Sequence, residues 1–235
     1  MVSDQHEVDP AEGPDNTDAP TSGTSPTPAQ STPTRGRRTL PLFTSIVLIA
    51  LALVVGYLLG RPSHPIDSSA DAGFLRDMSV HHTQAVDMSL LILEKTEDEQ
   101  LRAVATDIAR TQQSQVGRMH GWLVQWDLPI RGSQPQMAWM EGHGHGVDSG
   151  EPAPEEMPGY IDADQMDELA EATGVEAEIL YLELMIEHHE GGVEMAEVAR
   201  VLADEPYVVD LAHGMEVAQE AEIELLESMV DDRTD

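Results

Sequence analysis

The amino-acid sequence predicts an all-α protein: a four-helix bundle made of two duplicated helical hairpins, preceded by one transmembrane helix. Three observations carry that expectation. The stretch Met78-Ser-Val-His81-His82 comes back as Met185-Ile-Glu-His188-His189. The same offset aligns Leu75 with Leu182, Val86 with Val193, Met88 with Met195, Ala105 with Ala212 and Gln112 with Gln219, with Phe74/Tyr181, Asp87/Glu194, Gln115/Glu222 and Val116/Ile223 as conservative pairs. Each copy carries two apolar stripes at helical period, and an uncharged apolar run stands ahead of both.

Taken in order, residues 1–38 hold mostly Pro, Thr, Ser, Ala, Asp, Glu and Gly. So little apolar surface cannot offset the entropy of ordering the backbone, about 1–2 kcal/mol per residue, and a disordered, acidic cytoplasmic tail is expected. Residues 39–60 read as the transmembrane helix. The run from Leu40 to Gly60 has no charge and shows only Thr44, Ser45 and Tyr57 as polar side chains. As a helix it reaches roughly 30 Å, the thickness of a bilayer's hydrocarbon core, so the lipid bilayer is the expected partner of residues 40–60.

Arg35, Arg37 and Arg38 before the run, against Arg61 after it, place the N-terminus in the cytoplasm and the rest outside, in a single-pass membrane protein. The alternative is a secreted protein released by signal cleavage at Ala50-Leu-Ala52. It ranks second, because the chain stays apolar through Leu59 instead of turning polar after that site. Residues 61–69 form a linker.

The extracytoplasmic domain is expected over 70–231, with hairpins 70–126 and 175–231 and a crossover loop 127–174. The helices are expected at 70–95, 98–126, 175–202 and 205–231. On the first, Phe74, Leu75, Met78, His81, His82, Ala85, Met88 and Ile92 share one face, with Arg76, Thr83 and Asp87 opposite, an amphipathic pattern. Its second-copy counterpart gathers Met185, His188, His189 and Met195. The partner helices carry Leu101, Val104, Ala105, Ile108, Gln112, Gln115, Val116 and Met119 in one copy, and Val208, Leu211, Ala212, Met215, Gln219, Glu222, Ile223 and Leu226 in the other. Two hairpins related by a pseudo-twofold would bury all four stripes together, in a fold whose cores commonly house metals. A crossover this long points to function or disorder, and its stretch Ala163–Ala172 is compatible with a short helix.

The chain has no cysteine, so disulfides, thiolate metal sites and thiol catalysis are excluded, leaving His, Met and carboxylates as possible ligands. Its formal charge of −32 lies almost wholly beyond Arg61 and makes nucleic acid a poor partner. Such acidity ordinarily serves solubility; its functional reading is attraction of cations.

The imidazole and thioether groups on one helical face make His81, His82, His188, His189, Met78, Met88, Met185 and Met195 the candidate metal ligands. A His/Met set without Cys favours Cu(I) or Ag(I) over Zn(II), Mg(II) or Ca(II). Met119, His120, His213 and Met215 are further candidates on the partner helices. In the crossover, Met137, Met140, His143 and His145 form a possible capture cluster. The plain alternative is that the methionines fill core space and the histidines make hydrogen bonds. Two adjacent imidazoles near a core stripe carry a desolvation cost that the duplication incurs twice.

The pattern Phe74-Leu-x-x-Met78-x-x-His81-His82-x-x-Ala85-Val86-x-Met88, then Gln112-x-x-Gln115-Val116-x-x-Met119, resembles the domain of unknown function 305 family. Met157-Pro-Gly159, Leu169…Gly174, Leu182-x-x-Met185-Ile186-x-His188-His189-Glu190-Gly191 and Gln219-x-x-Glu222-Ile223 follow that pattern in the second copy. The resemblance covers about residues 70 to 231. It implies a ferritin-like helical bundle, usually secreted or membrane-anchored in bacteria, with some members implicated in copper binding and tolerance. The departures are Gln115 where an acidic residue is usual, Leu226 where Met is usual, and Gly192 in place of Ala.

A ferritin-like di-iron oxidase would need Glu-x-x-His on two helices, whereas Met78, Ser79, Met185 and Ile186 stand three residues before the histidines. The reading is therefore a membrane-anchored copper-binding protein for buffering or tolerance, leaning away from an enzyme, with no protein partner identified. Its rival is a metal-free interaction module of the envelope whose histidines respond to pH.

Overall fold

A computed structural model of the chain describes residues 41–60, 64–144 and 150–234, which form six α-helices, one 3-10 turn at Ala138–Met140 and no strand. The tail expected over 1–38 lies outside the described residues. These residues fall into two units, one on each side of residues 61–63.

The first unit is helix α1, Leu42–Leu59, led in by Pro41, whose carbonyl accepts from the Thr44 hydroxyl at 2.7 Å. None of its side chains is buried and none is charged. Among the described residues it is the one helix long and apolar enough to cross a membrane.

The second unit contains α2 (Ala70–Lys95), α3 (Glu99–Gln125), α4 (Ala163–Glu171), α5 (Gly174–Leu202) and α6 (Pro206–Thr234). Local chemistry sets their starts. The Ser69 hydroxyl accepts from Ala72 N, the Asp98 carboxylate accepts from Leu101 N, Asp162 and Gln165 form a capping box on α4, and Pro206 opens α6 where a missing N–H costs nothing. The four long helices match the expected spans to within a residue, except that α6 runs on to Thr234. Arg233 explains the extension: its guanidinium donates to Glu178 at 3.0 Å and lies 3.3 Å from Asp98, tying the last turn of α6 to α5 and to the start of α3.

Helices α2 and α3 pack as one hairpin, α5 and α6 as the other, and α2 lies against α5. The core is divided in two. One cluster takes Phe74, Leu75 and Met78 from α2, Met119 from α3, Met195 and Ala199 from α5, and Leu211 and Met215 from α6. The other takes Met88 and Ile92 from α2, Leu101 and Ile108 from α3, Tyr181, Leu182 and Met185 from α5, and Leu226 from α6. The repeat offset exchanges the clusters: Met78 lies in one and its counterpart Met185 in the other, and Met88 and Met195 likewise. Even the Phe74/Tyr181 difference is matched, since the buried Tyr181 hydroxyl is 3.1 Å from Ser89, whose counterpart is the apolar Ala196 in the Phe74 cluster.

The crossover is fastened along α2. Arg76 donates to Pro129 O (3.0 Å), Asp67 O (2.8 Å) and the Asp67 carboxylate (2.6 Å). The Asp77 carboxylate accepts from Met137 N (2.8 Å) and Trp139 Nε1 (3.0 Å), holding Met137 at a φ of 61° that a side chain rarely adopts. Lys95 reaches the last carbonyls of α4, Ala170 O and Ala172 O, each at 2.7 Å. The expected helix over Ala163–Ala172 is present as α4.

Candidate metal centre

Between the two apolar clusters lies a polar layer. Helix α2 contributes His81 and His82, α5 His188 and His189, α3 Gln112 and Gln115, and α6 Gln219 and Glu222, at matching positions of the repeat. All four histidines have no exposed surface. They are brought there by the helical face that also buries Met78 and Met185, one turn before each pair.

The rings of His81 and His188 stack between the hairpins, with centroids 3.7 Å apart and planes 32° from parallel. His82 and His189 turn into their own hairpins. His82 Nε2 donates to Gln115 Oε1 at 2.8 Å, and His189 Nε2 to the Glu222 carboxylate at 2.7 Å. His188 Nε2 donates to the His81 carbonyl at 2.9 Å, and His81 Nε2 to the Pro158 carbonyl at 3.1 Å. Each partner is an acceptor, so each ring carries its proton on Nε2 and presents a bare lone pair on Nδ1.

All four of those Nδ1 atoms are buried without a hydrogen-bond partner, as are both ends of the Gln112 amide and Gln219 Oε1. A buried acceptor left unmade costs about 1–3 kcal/mol, so such a concentration in one layer is unusual for a core that serves packing alone. Burial also keeps the rings of His81, His82 and His188 neutral. It pushes His82 down to about 3, against the pull of its Gln115 hydrogen bond. His81 and His188 are held well below the ordinary imidazole value by burial first and by the neighbouring histidines second. Neutral imidazole is the form that binds metal, and an Nε2–H donated to a carbonyl or carboxylate is how a ligating histidine is oriented.

The crossover closes the layer on one side. Gln84 pairs with the Ile161 backbone through both ends of its amide, at 2.7 and 2.8 Å, next to the Pro158 carbonyl that holds His81. On α5 the counterpart of Gln84 is Gly191, where a Cβ would come within 2.2 Å of Pro158 O. At Gly159 (φ 64°) a Cβ would meet Glu187 O at 2.5 Å. Backbone lies on backbone here, which accounts for Pro-Gly facing Gly. Gly192 has an equally local reason: a Cβ there would stand 2.3 Å from Gln219 Oε1.

Among the described residues, no three His, Asp or Glu side chains converge closely enough to hold an ion by themselves. A metal in this layer therefore needs another kind of donor, and thioethers flank it on both sides. The family model described as "Domain of unknown function (DUF305)" matches residues 71–230. The chain belongs to the DUF305 family.

Solved DUF305 structures share the bundle. A Streptomyces coelicolor DUF305 protein classed as a secretion candidate is 45% identical, with 70% of this chain and 94% of that one covered and a TM-score of 0.63. A DUF305 fragment from Deinococcus radiodurans is 27% identical, covering 72% and 99%, with a TM-score of 0.58. CopM in its Cu(I)-bound form is 25% identical, covering 70% and 98%, with a TM-score of 0.54; CopM is also solved with Cu(II) and with silver. An uncharacterized protein of Acanthamoeba polyphaga mimivirus is 32% identical over 78 residues, and the match spans about half of that protein's length (49%).

Of the other candidate ligands, Met119, Met215, Met137 and Met140 are buried in the cluster that holds Met78 and Met195. Met88 and Met185 sit in the opposite one. His120 and His143 are half-buried, and His145 lies outside the described residues. His213 is exposed on the outer side of α6, 3.7 Å from the Glu216 carboxylate. Gln112, Gln115, Gln219 and Glu222, stripe positions in the sequence, line the layer without being among the expected ligands. Their signal was a polar residue at a core register in both copies.

Proposed function

We propose that this DUF305 domain binds a soft monovalent ion, foremost Cu(I), in its polar layer, and buffers that metal outside the membrane to which α1 anchors it. His81, His82, His188 and His189 supply imidazole Nδ1 atoms. Met78 and Met195 on one side, and Met88 and Met185 on the other, supply thioethers, with Met119 and Met215 in reserve. Four buried imidazoles oriented through Nε2 and left open at Nδ1 carry this reading. The chemistry fits: imidazole with thioether suits Cu(I) and Ag(I), and CopM, a DUF305 relative by structure, is solved with both metals. Bound Cu(I) would satisfy lone pairs that the apo fold leaves unmade.

The test is a competition titration of the full chain in detergent against a chromophoric Cu(I) chelator, beside His81→Ala/His82→Ala, His188→Ala/His189→Ala and the quadruple variant. Because the His81 and His188 rings stack across the hairpin interface, removing either pair is expected to weaken binding. A wild type that binds no better than the quadruple variant would refute the metal reading. The second reading, a metal-free module that responds to acid, rests on the same buried rings. It gains if pH alone, and not copper, moves the melting temperature.

A further inference from the structure

The two halves of the polar layer have equal donors and unequal charge. His82 Nε2 donates to an amide oxygen, Gln115 Oε1, while its counterpart His189 Nε2 donates to a carboxylate, Glu222. Imidazole, thioether and amide are all neutral, so an ion held among them keeps its full charge in a region with no exposed imidazole surface. An unpaired charge in such surroundings is strongly disfavoured, and one carboxylate at hydrogen-bond distance from a ligand compensates one unit of it. Among the described residues, Glu222 is the carboxylate hydrogen-bonded to a histidine of the layer. Its side chain is 23% exposed beside the fully buried His189 ring, so it stands at the edge of water and reaches the layer through the ring.

We infer that the duplication has become unequal: the half carrying Glu222 holds one monovalent soft ion tightly, and the half carrying Gln115 does not hold a second. Glu222 is a positioning and charge-balancing residue that acts through His189. The inference rests on the metal reading above and adds to it a stoichiometry and a location.

Competition titration of the full chain in detergent with Cu(I) tests it, using wild type, Glu222→Gln, Gln115→Glu and the exchange variant Gln115→Glu/Glu222→Gln. Each substitution keeps the side chain's shape, and melting curves of the metal-free chains check that each folds. Wild type is expected to take one Cu(I) tightly. Glu222→Gln weakens it about 10–100-fold, the usual effect of removing a group that orients a ligand. Gln115→Glu adds a second equivalent of comparable affinity, and the exchange variant returns to one. Two equal equivalents in wild type, or unchanged affinity in Glu222→Gln, overturn the inference and leave the metal reading standing. An exchange variant as weak as Glu222→Gln also overturns it, because charge would then not be what Glu222 supplies. A wild type no better than the quadruple His→Ala chain removes the reading beneath it.

Discussion

Acid should destabilise the metal-free domain already above the pH at which carboxylates ordinarily titrate. His82 is held down to about 3 in the folded protein, against about 6.5 when unfolded. The unfolded chain therefore takes up the proton first, and stability is lost as pH falls below the unfolded value, at about 1.4 kcal/mol per pH unit for each such histidine. Between about pH 6.5 and pH 5, His82 alone should withdraw about 2 kcal/mol. His81 and His188, lowered by burial first and by the neighbouring histidines second, act in the same direction. That window lies above the ordinary carboxylate range. Urea unfolding of the chelator-treated chain, followed by far-UV circular dichroism across the window, reads the slope. His82→Gln keeps a donor for Gln115 and should make that slope shallower. A free energy flat over the window, or a variant with the wild-type slope, would refute the argument.

Three further outcomes follow from the packing. Gly191→Ala places a Cβ 2.2 Å from the Pro158 carbonyl and should lower stability by about 1–3 kcal/mol, seen as a fall in Tm; an unchanged Tm would mean that the crossover around Pro158, a strap over the polar layer, is not seated on α5. Asp77→Ala strands the Met137 N–H and Trp139 indole N–H, at about 1–3 kcal/mol, with faster proteolysis near Met137 and a red-shifted tryptophan emission as the readout. Leu51→Arg, central in α1, should disfavour insertion by about 2.5–3.5 kcal/mol and move the chain out of the membrane fraction. Wild type recovered in the soluble fraction with its N-terminus at Leu53 would favour the signal-peptide alternative.

Much of the fold was legible because helices announce themselves locally. The period-3.6 stripes are facts about neighbours in sequence, and they place α2, α3, α5 and α6 to within a residue at nearly every end; the Ser69 and Asp98 caps and Pro206, equally local, are what the structure shows at the starts. The repeat supplied the pairing of hairpins. The site was legible only in its histidines. That Nε2 rather than Nδ1 is occupied depends on Pro158, on the His81 carbonyl and on two partner helices, none of which is near in sequence. The strap was hidden for the same reason: Gln84 and Gly191 occupy equivalent positions, and one grips the crossover while the other makes room for it. Met137 and Met140, legible as soft ligands in a flexible loop, are core residues because Asp77 pulls that loop onto α2.

The exchange of clusters under the repeat bears on how such a molecule could arise and fold. Neither hairpin owns a core; each apolar half is assembled from both, around an axis near the His81–His188 stack. That is the arrangement of a self-complementary dimer, in which the same patch serves both partners, made covalent by one crossover. A lone hairpin of either copy would expose half of each cluster and should find a second copy of itself before it finds a stable monomeric state. A single chain lets the halves differ, and Gln84 opposite Gly191, Ser89 with Tyr181 and Gln115 opposite Glu222 are differences that two identical hairpins could not carry.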